Sequence, residues 1–164
     1  MNDIFNKLSS YNILNYLIPG AVFSVIAERL SLLTPPNEIM EQLVWFYFLG
    51  MVISRLGSTI VEPILKCLGF VVYSNYFDYL AACKADEKME VMVETSNTYR
   101  TIATVFISLL ALIFLDSTSE RIGFNSALQG EIAIGLLSIL FILSFRKQVK
   151  FVANRVNHHK KESE

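Results

Sequence analysis

The stretch YNILNYLIPGAVFSVIAERL, from Tyr11 to Leu30, is apolar over nearly the thickness of a bilayer's hydrocarbon core, and stretches of the same kind recur three more times in 164 residues. A membrane-crossing helix needs about 20 predominantly apolar residues. One such run would suit a buried core helix or a secretory signal; the recurrence means that the chain is built for a different solvent. A cleaved signal fits poorly. Lys7 supplies a positive start, but Glu28-Arg29-Leu30 stands where a small-residue cleavage site belongs, so the segment reads as retained.

Composition agrees. Hydrophobic residues make up 53% of the chain and charged residues 18%, against about 25% charged in soluble domains, and mean hydropathy is +0.45. Twelve Phe, seven Tyr and one Trp suit both an apolar band and a headgroup belt. A net charge of -1 argues against a nucleic-acid binder, and no direct nucleic-acid partner is expected. Cys67 and Cys83 have no histidine near them, so no local zinc site and no cofactor are expected. His158 and His159 lie in a polar tail and read as solvated.

The fold class read from this pattern is an all-α membrane protein. Its architecture is a four-transmembrane helix bundle with a cytosolic helical extension and short amphipathic helices, all within one membrane domain. The spans are residues 10–33, 39–61, 98–116 and 128–145. The first carries Pro19-Gly20 at its middle, where a neighbouring helix must satisfy the freed carbonyl. The second follows the turn residues Pro35, Pro36 and a capping Asn37. Its uninterrupted core is short, so Gly57–Val61 must also lie at membrane depth and Arg55 must snorkel or find a partner. Residues 62–97 read as a cytosolic helical insertion: Pro63, Lys66 and Gly69 break an apolar run into an interfacial helix, and a charged helix follows. In the third span the Ser and Thr hydroxyls can bond back to the helix. Ser117–Ser119 end it, and Asn125-Ser126 start the next. Residues 146–164 form a basic cytosolic tail.

Charge placement supplies a separate test. With the N-terminus inside, Lys7, Arg55, Lys66, Lys84, Lys88, Arg100, Arg146, Lys147, Lys150, Arg155, Lys160 and Lys161 fall on the inner side, and only Arg29 and Arg121 fall outside. That bias predicts cytoplasmic N- and C-termini in a plasma membrane.

No G-x-S-x-G, H-E-x-x-H, P-loop or dinucleotide fingerprint occurs, and no titratable cluster has catalytic spacing, so the chain reads as non-enzymatic. Gly50, Ser54, Gly57 and Ser58 form a small-residue face suited to close helix approach, between copies or within one bundle. Arg55 reads either as a charge at a pore mouth or as a snorkelling interfacial cation. Glu62, seven residues on, falls on the same face of a regular helix. These six residues are the oligomerisation or pore-facing candidates. Lys84, Asp86, Glu87, Lys88, Glu90 and Glu94 carry mixed charge suited to docking a cytosolic protein, or else form the solvated start of the third span. Arg146, Lys147, Lys150 and Arg155 surround a valine stripe in the tail and are expected to contact anionic lipid, each attracted by about 1 kcal/mol, or to anchor the topology.

Size, topology and the segment LNYLIPGAVF, Leu14 to Phe23, resemble the small four-span membrane proteins of bacterial anti-phage defence loci. These include the Kiwa-type membrane subunit and membrane effectors that accompany nucleic-acid or cyclic-nucleotide sensors. The resemblance implies an oligomeric inner-membrane protein that perturbs the membrane or anchors a cytosolic partner, and it carries no functional residue with it. The alternative is a small housekeeping channel or transporter, against which stands the lack of an inverted repeat with broken helices.

Overall fold

The computed structural model describes residues 13–86, 88–122 and 126–162, with the side chains of 14, 119–122, 126–129 and 157–162 excepted. Lys7, Glu87, Asn125 and the side chains of Arg121, His158, His159, Lys160 and Lys161 therefore lie outside what is described. Among the described residues every regular element is helical.

Three helices are long and apolar enough to cross a membrane: Ile39–Cys67, Lys88–Thr118 and Gly130–Val156. At 1.5 Å per residue even the shortest reaches about 40 Å, more than the roughly 30 Å of hydrocarbon. A fourth apolar helix comes first in the chain. It consists of a π-helical turn, Ile13–Leu17, running into α1, Ile18–Arg29. α2 is Ile39–Leu56, followed without a break by a second π turn, Gly57–Val61, and by α3, Glu62–Cys67. α4 is Tyr76–Ala85, α5 is Lys88–Ile122 and α6 is Ser126–Glu162.

Several of these boundaries depart from the sequence reading. Pro63 does not break the second long helix, because it sits two residues beyond a π turn whose Glu62 N–H bonds the Gly57 carbonyl five residues back. The widened register already forgoes the bond that proline removes. Pro19 stands in the same relation to Ile13–Leu17. The break comes instead at Gly69, with φ +70°. There the Phe70 N–H bonds the Leu65 carbonyl and the Gly69 N–H bonds the Lys66 carbonyl, a Schellman ending that requires a left-handed residue. α1 ends in the same way around Ser31, φ 58°. The third helix runs through Ser117–Ser119 to Ile122, and the charged residues from Lys88 are its first turns rather than a separate insertion. The N-cap of α2 is Glu38, not Asn37, and it makes no side-chain bond.

Packing is inverted relative to a soluble domain. Thr101 and Ser24 are 0% exposed and Asn15 1%, whereas Leu110 is 68%, Phe114 70% and Ile134 67% exposed. Lipid removes the hydrophobic reason for helices to associate, leaving close van der Waals contact and hydrogen bonds to hold them. Both are present. Trp45 Nε1 donates to Ser24 Oγ at 3.2 Å between α2 and α1, and Thr101 Oγ1 donates to Asn15 Oδ1 at 3.0 Å between α5 and the first π turn. Thr101, Thr104 and Ser144 also bond back to carbonyls four residues earlier, as expected of hydroxyls in apolar helices. A slim apolar core, Phe23, Ala27, Ile53, Val105 and Leu109, fills the space between α1, α2 and α5.

α1 and α2 approach until their backbones touch. A Cβ at Gly50 would stand 1.7 Å from the Tyr16 carbonyl oxygen, and one at Gly20 would stand 1.7 Å from that of Phe46. No rotamer change relieves a clash with backbone. Gly50→Ala is therefore expected to lower the unfolding free energy in detergent by about 3 kcal/mol or more. Gly135→Ala meets nothing within 4 Å and should raise it by about 0.5–1 kcal/mol. Thermal midpoints of the two purified variants check the contrast.

Candidate functional site

The charged residues of three helices converge at one end of the bundle, where Glu62, the only carboxylate between Glu41 and Asp78, opens α3. It is 9% exposed. Arg100 Nη1 donates to Glu62 Oε2 at 2.7 Å. Lys66 Nζ lies 3.0 Å from Oε1, one helical turn along the same element. From α6, Lys147 Nζ stands 3.7 Å from Oε2 and donates to the Ser58 carbonyl. Lys66 also sits over the Tyr73 ring, 3.9 Å from its centroid. One carboxylate thus binds α3 to α5 and α6, while Thr59 Oγ1 and Ser144 Oγ, 3.3 Å apart, add a neutral bond alongside.

Sequence spacing sets Arg55 and Glu62 on one helical face, but the π turn between them winds fewer degrees per residue and displaces Glu62 by about a quarter turn. Glu62 consequently faces α5 and α6, and among the described residues no carboxylate pairs with Arg55. Both residues line a half-open cavity of about 1010 Å³, together with Asn15, Tyr16, Ser54, Ser58, Lys66, Arg100, Lys147 and the aromatic rings of Tyr73, Tyr76, Tyr79 and Phe151. Both π turns contribute to this wall through Asn15, Tyr16 and Ser58, and such turns occur disproportionately at working sites. The Tyr79 phenol, bonded to Cys83 and partly buried, is pushed up to about 12, which keeps it neutral at physiological pH.

The remaining sequence candidates divide. Gly50 contacts Tyr16, and Gly57 lies against Thr104 and Arg100, so this part of the small-residue face is occupied by helices of the same chain. Ser54 and Ser58 face the cavity. Lys84 and Asp86 lie where α4 gives way to α5, with Asp86 Oδ1 accepting from the Lys88 N–H at 2.9 Å. Lys88, Glu90 and Glu94 are exposed on the first turns of α5. Arg146, Lys150 and Arg155 are exposed on α6. Lys147, grouped with them in the sequence reading, turns inward to Glu62. Arg100, Asn15 and Thr101 take part here without any spacing in the sequence that marks them. The available signal was Glu62 itself, since an isolated carboxylate at membrane depth requires cations from neighbouring helices.

Among the described residues no group of three or more His, Cys, Asp or Glu side chains is gathered as a metal site, and Cys67 and Cys83 are free thiols. Comparison with known proteins found no matching family model, no matching sequence relative and no matching solved structure.

Glu62→Gln removes the charge that three cations share and should destabilise the bundle by about 2–3 kcal/mol. Lys66→Met should cost about 0.5 kcal/mol or less, because its side chain is 44% exposed and its pairing lies within one helix turn. Unfolding midpoints in a mild detergent read the difference directly.

Proposed function

We propose that this chain is a non-enzymatic, oligomeric protein of the bacterial inner membrane, with four spans and both termini in the cytoplasm. It works through its cytoplasmic face in an anti-phage defence locus, either as a membrane-perturbing effector or as a membrane anchor for a soluble partner. The observation that carries this reading is the length by which two helices run on, at the same end, past the cations that meet Glu62. From Arg100 back to Lys88 is about 18 Å of helix, and from Lys147 on to Glu162 about 22 Å. α4 packs on the second of these overhangs through the Tyr76–Phe151 ring contact, centroids 6.2 Å apart, and also touches α5. Together they make a helical platform with Glu90 and Glu94 on one arm and Lys150 and Arg155 on the other.

Four spans follow if Ile13–Arg29 crosses with part of the preceding residues. Its Asn15 end meets Thr101 of α5 near the charged cluster, which supports a start on the same side as α6 finishes. The cationic residues of the described chain cluster at that end, supporting its assignment to the cytoplasm. Among the described residues an apolar core, Phe23, Ala27, Ile53, Val105 and Leu109, fills the space between α1, α2 and α5, which favours the anchor or an oligomeric effector over a single-copy channel.

Topology and copy number test this together. In a chain with Cys67 and Cys83 replaced by Ser, Lys150→Cys should react with an impermeant maleimide only after the inner membrane is permeabilised, and Leu33→Cys should react in spheroplasts. Light scattering in mild detergent should return more than one copy per particle. Labelling of residue 150 from outside would reverse the orientation, and a strictly monomeric particle would remove the oligomeric effector.

A further inference from the structure

Charge in the cavity does not balance. Arg55, Lys66, Arg100 and Lys147 line it with only Glu62 and Asp78 as carboxylates, leaving two positive charges in excess within a partly desolvated space. Such an excess is costly unless an anion meets it. Two of these groups lack a matched acceptor. Arg55 has no carboxylate partner among the described residues, and Arg100 Nε is buried without an acceptor although its Nη1 is engaged by Glu62. The wall facing these cations is aromatic, with Tyr76 packed against Phe151 and Tyr73 beside Lys66. A volume of about 1010 Å³ matches the upper range of small-ligand sites, roughly 300–1,000 Å³.

The geometry points to a binding site for a phosphate-bearing ligand with an apolar or aromatic body, its phosphate held by Arg55, Arg100 and Lys147 and its body against Tyr73, Tyr76 and Phe151. Guanidinium groups suit phosphate because their donors are paired and planar. Glu62 holds the cations together when no ligand is present and shares them when one arrives. Because the cavity is half open, an anionic lipid headgroup and a free phosphate ester share the chemistry that would fill it. The inference deepens the reading of this end as the working face, but the site does not depend on which side of the membrane that end faces.

The test uses the full chain in phosphatidylcholine nanodiscs, which leave both faces in solution and so separate this question from topology. In one arm phosphatidylglycerol replaces part of the lipid; in the other ATP is titrated into pure phosphatidylcholine discs. A saturable rise in thermal midpoint is expected in at least one arm, with the lipid arm identifying a headgroup and the ATP arm a soluble ester. Arg55→Gln should weaken that response about tenfold or more, the loss of one charge-assisted contact. Lys88→Gln, which removes an equal charge from an exposed position outside the cavity, should change it less than twofold. If Arg55→Gln lowers the midpoint of the unliganded protein, Lys147→Gln takes its place with the same expectation. No saturable response in either arm, or equal weakening by the cavity variant and Lys88→Gln, overturns the site.

Discussion

Helices surrounded by hydrocarbon gain nothing by hiding leucines from one another, and the whole arrangement depends on what replaces that gain. Here the replacement is a polar seam on the inside of the bundle. Asn15, Ser24, Thr101, Thr104 and Ser144 are buried while many large aliphatic side chains of α5 and α6, Leu110, Leu115, Ile134 and Leu136 among them, face outward. Within the seam the Glu62 carboxylate does the long-distance joining, since its partners lie 38 and 85 residues away along the chain. A buried carboxylate is expensive to desolvate and becomes tolerable only when several cations and hydrogen bonds surround it. Its neighbours meet that requirement from three elements at once.

The glycine crossing and the ion cluster divide the labour. Gly20 and Gly50 let α1 and α2 touch backbone to backbone, fixing one pair of helices by shape alone. Glu62 then attaches α5 and α6 to that pair by charge. The first contact tolerates no added methyl; the second tolerates change at its exposed edge, Lys66, better than at its centre.

The sequence made the helical class and the membrane-length apolar stretches legible because hydropathy reports the solvent in which a segment ends up. It reports poorly where a helix stops. Residues 88–97 and 146–162 are rich in polar and charged side chains yet remain helical, since Lys, Glu, Arg, Gln and Met have helix propensities close to that of leucine. A reading by polarity therefore cut continuous helices into an insertion and a tail. The site was half legible. Arg55 and Glu62 stood out as charges in apolar surroundings, but regular 3.6-residue winding could not reveal that the intervening π turn rotates one away from the other. The cations that answer Glu62 come from distant helices, and spacing along one strand of sequence says nothing of them.

The short strap after Gly69 has a mechanical meaning. Leu68, Phe70 and Val72 are among the most exposed apolar side chains of the chain, while the Tyr73 ring farther along the strap lies 3.9 Å from the Lys66 ammonium. The strap is thus fastened to the bundle at the cation that Glu62 holds at 3.0 Å, and whatever pulls on its apolar side chains pulls on that cation's neighbour.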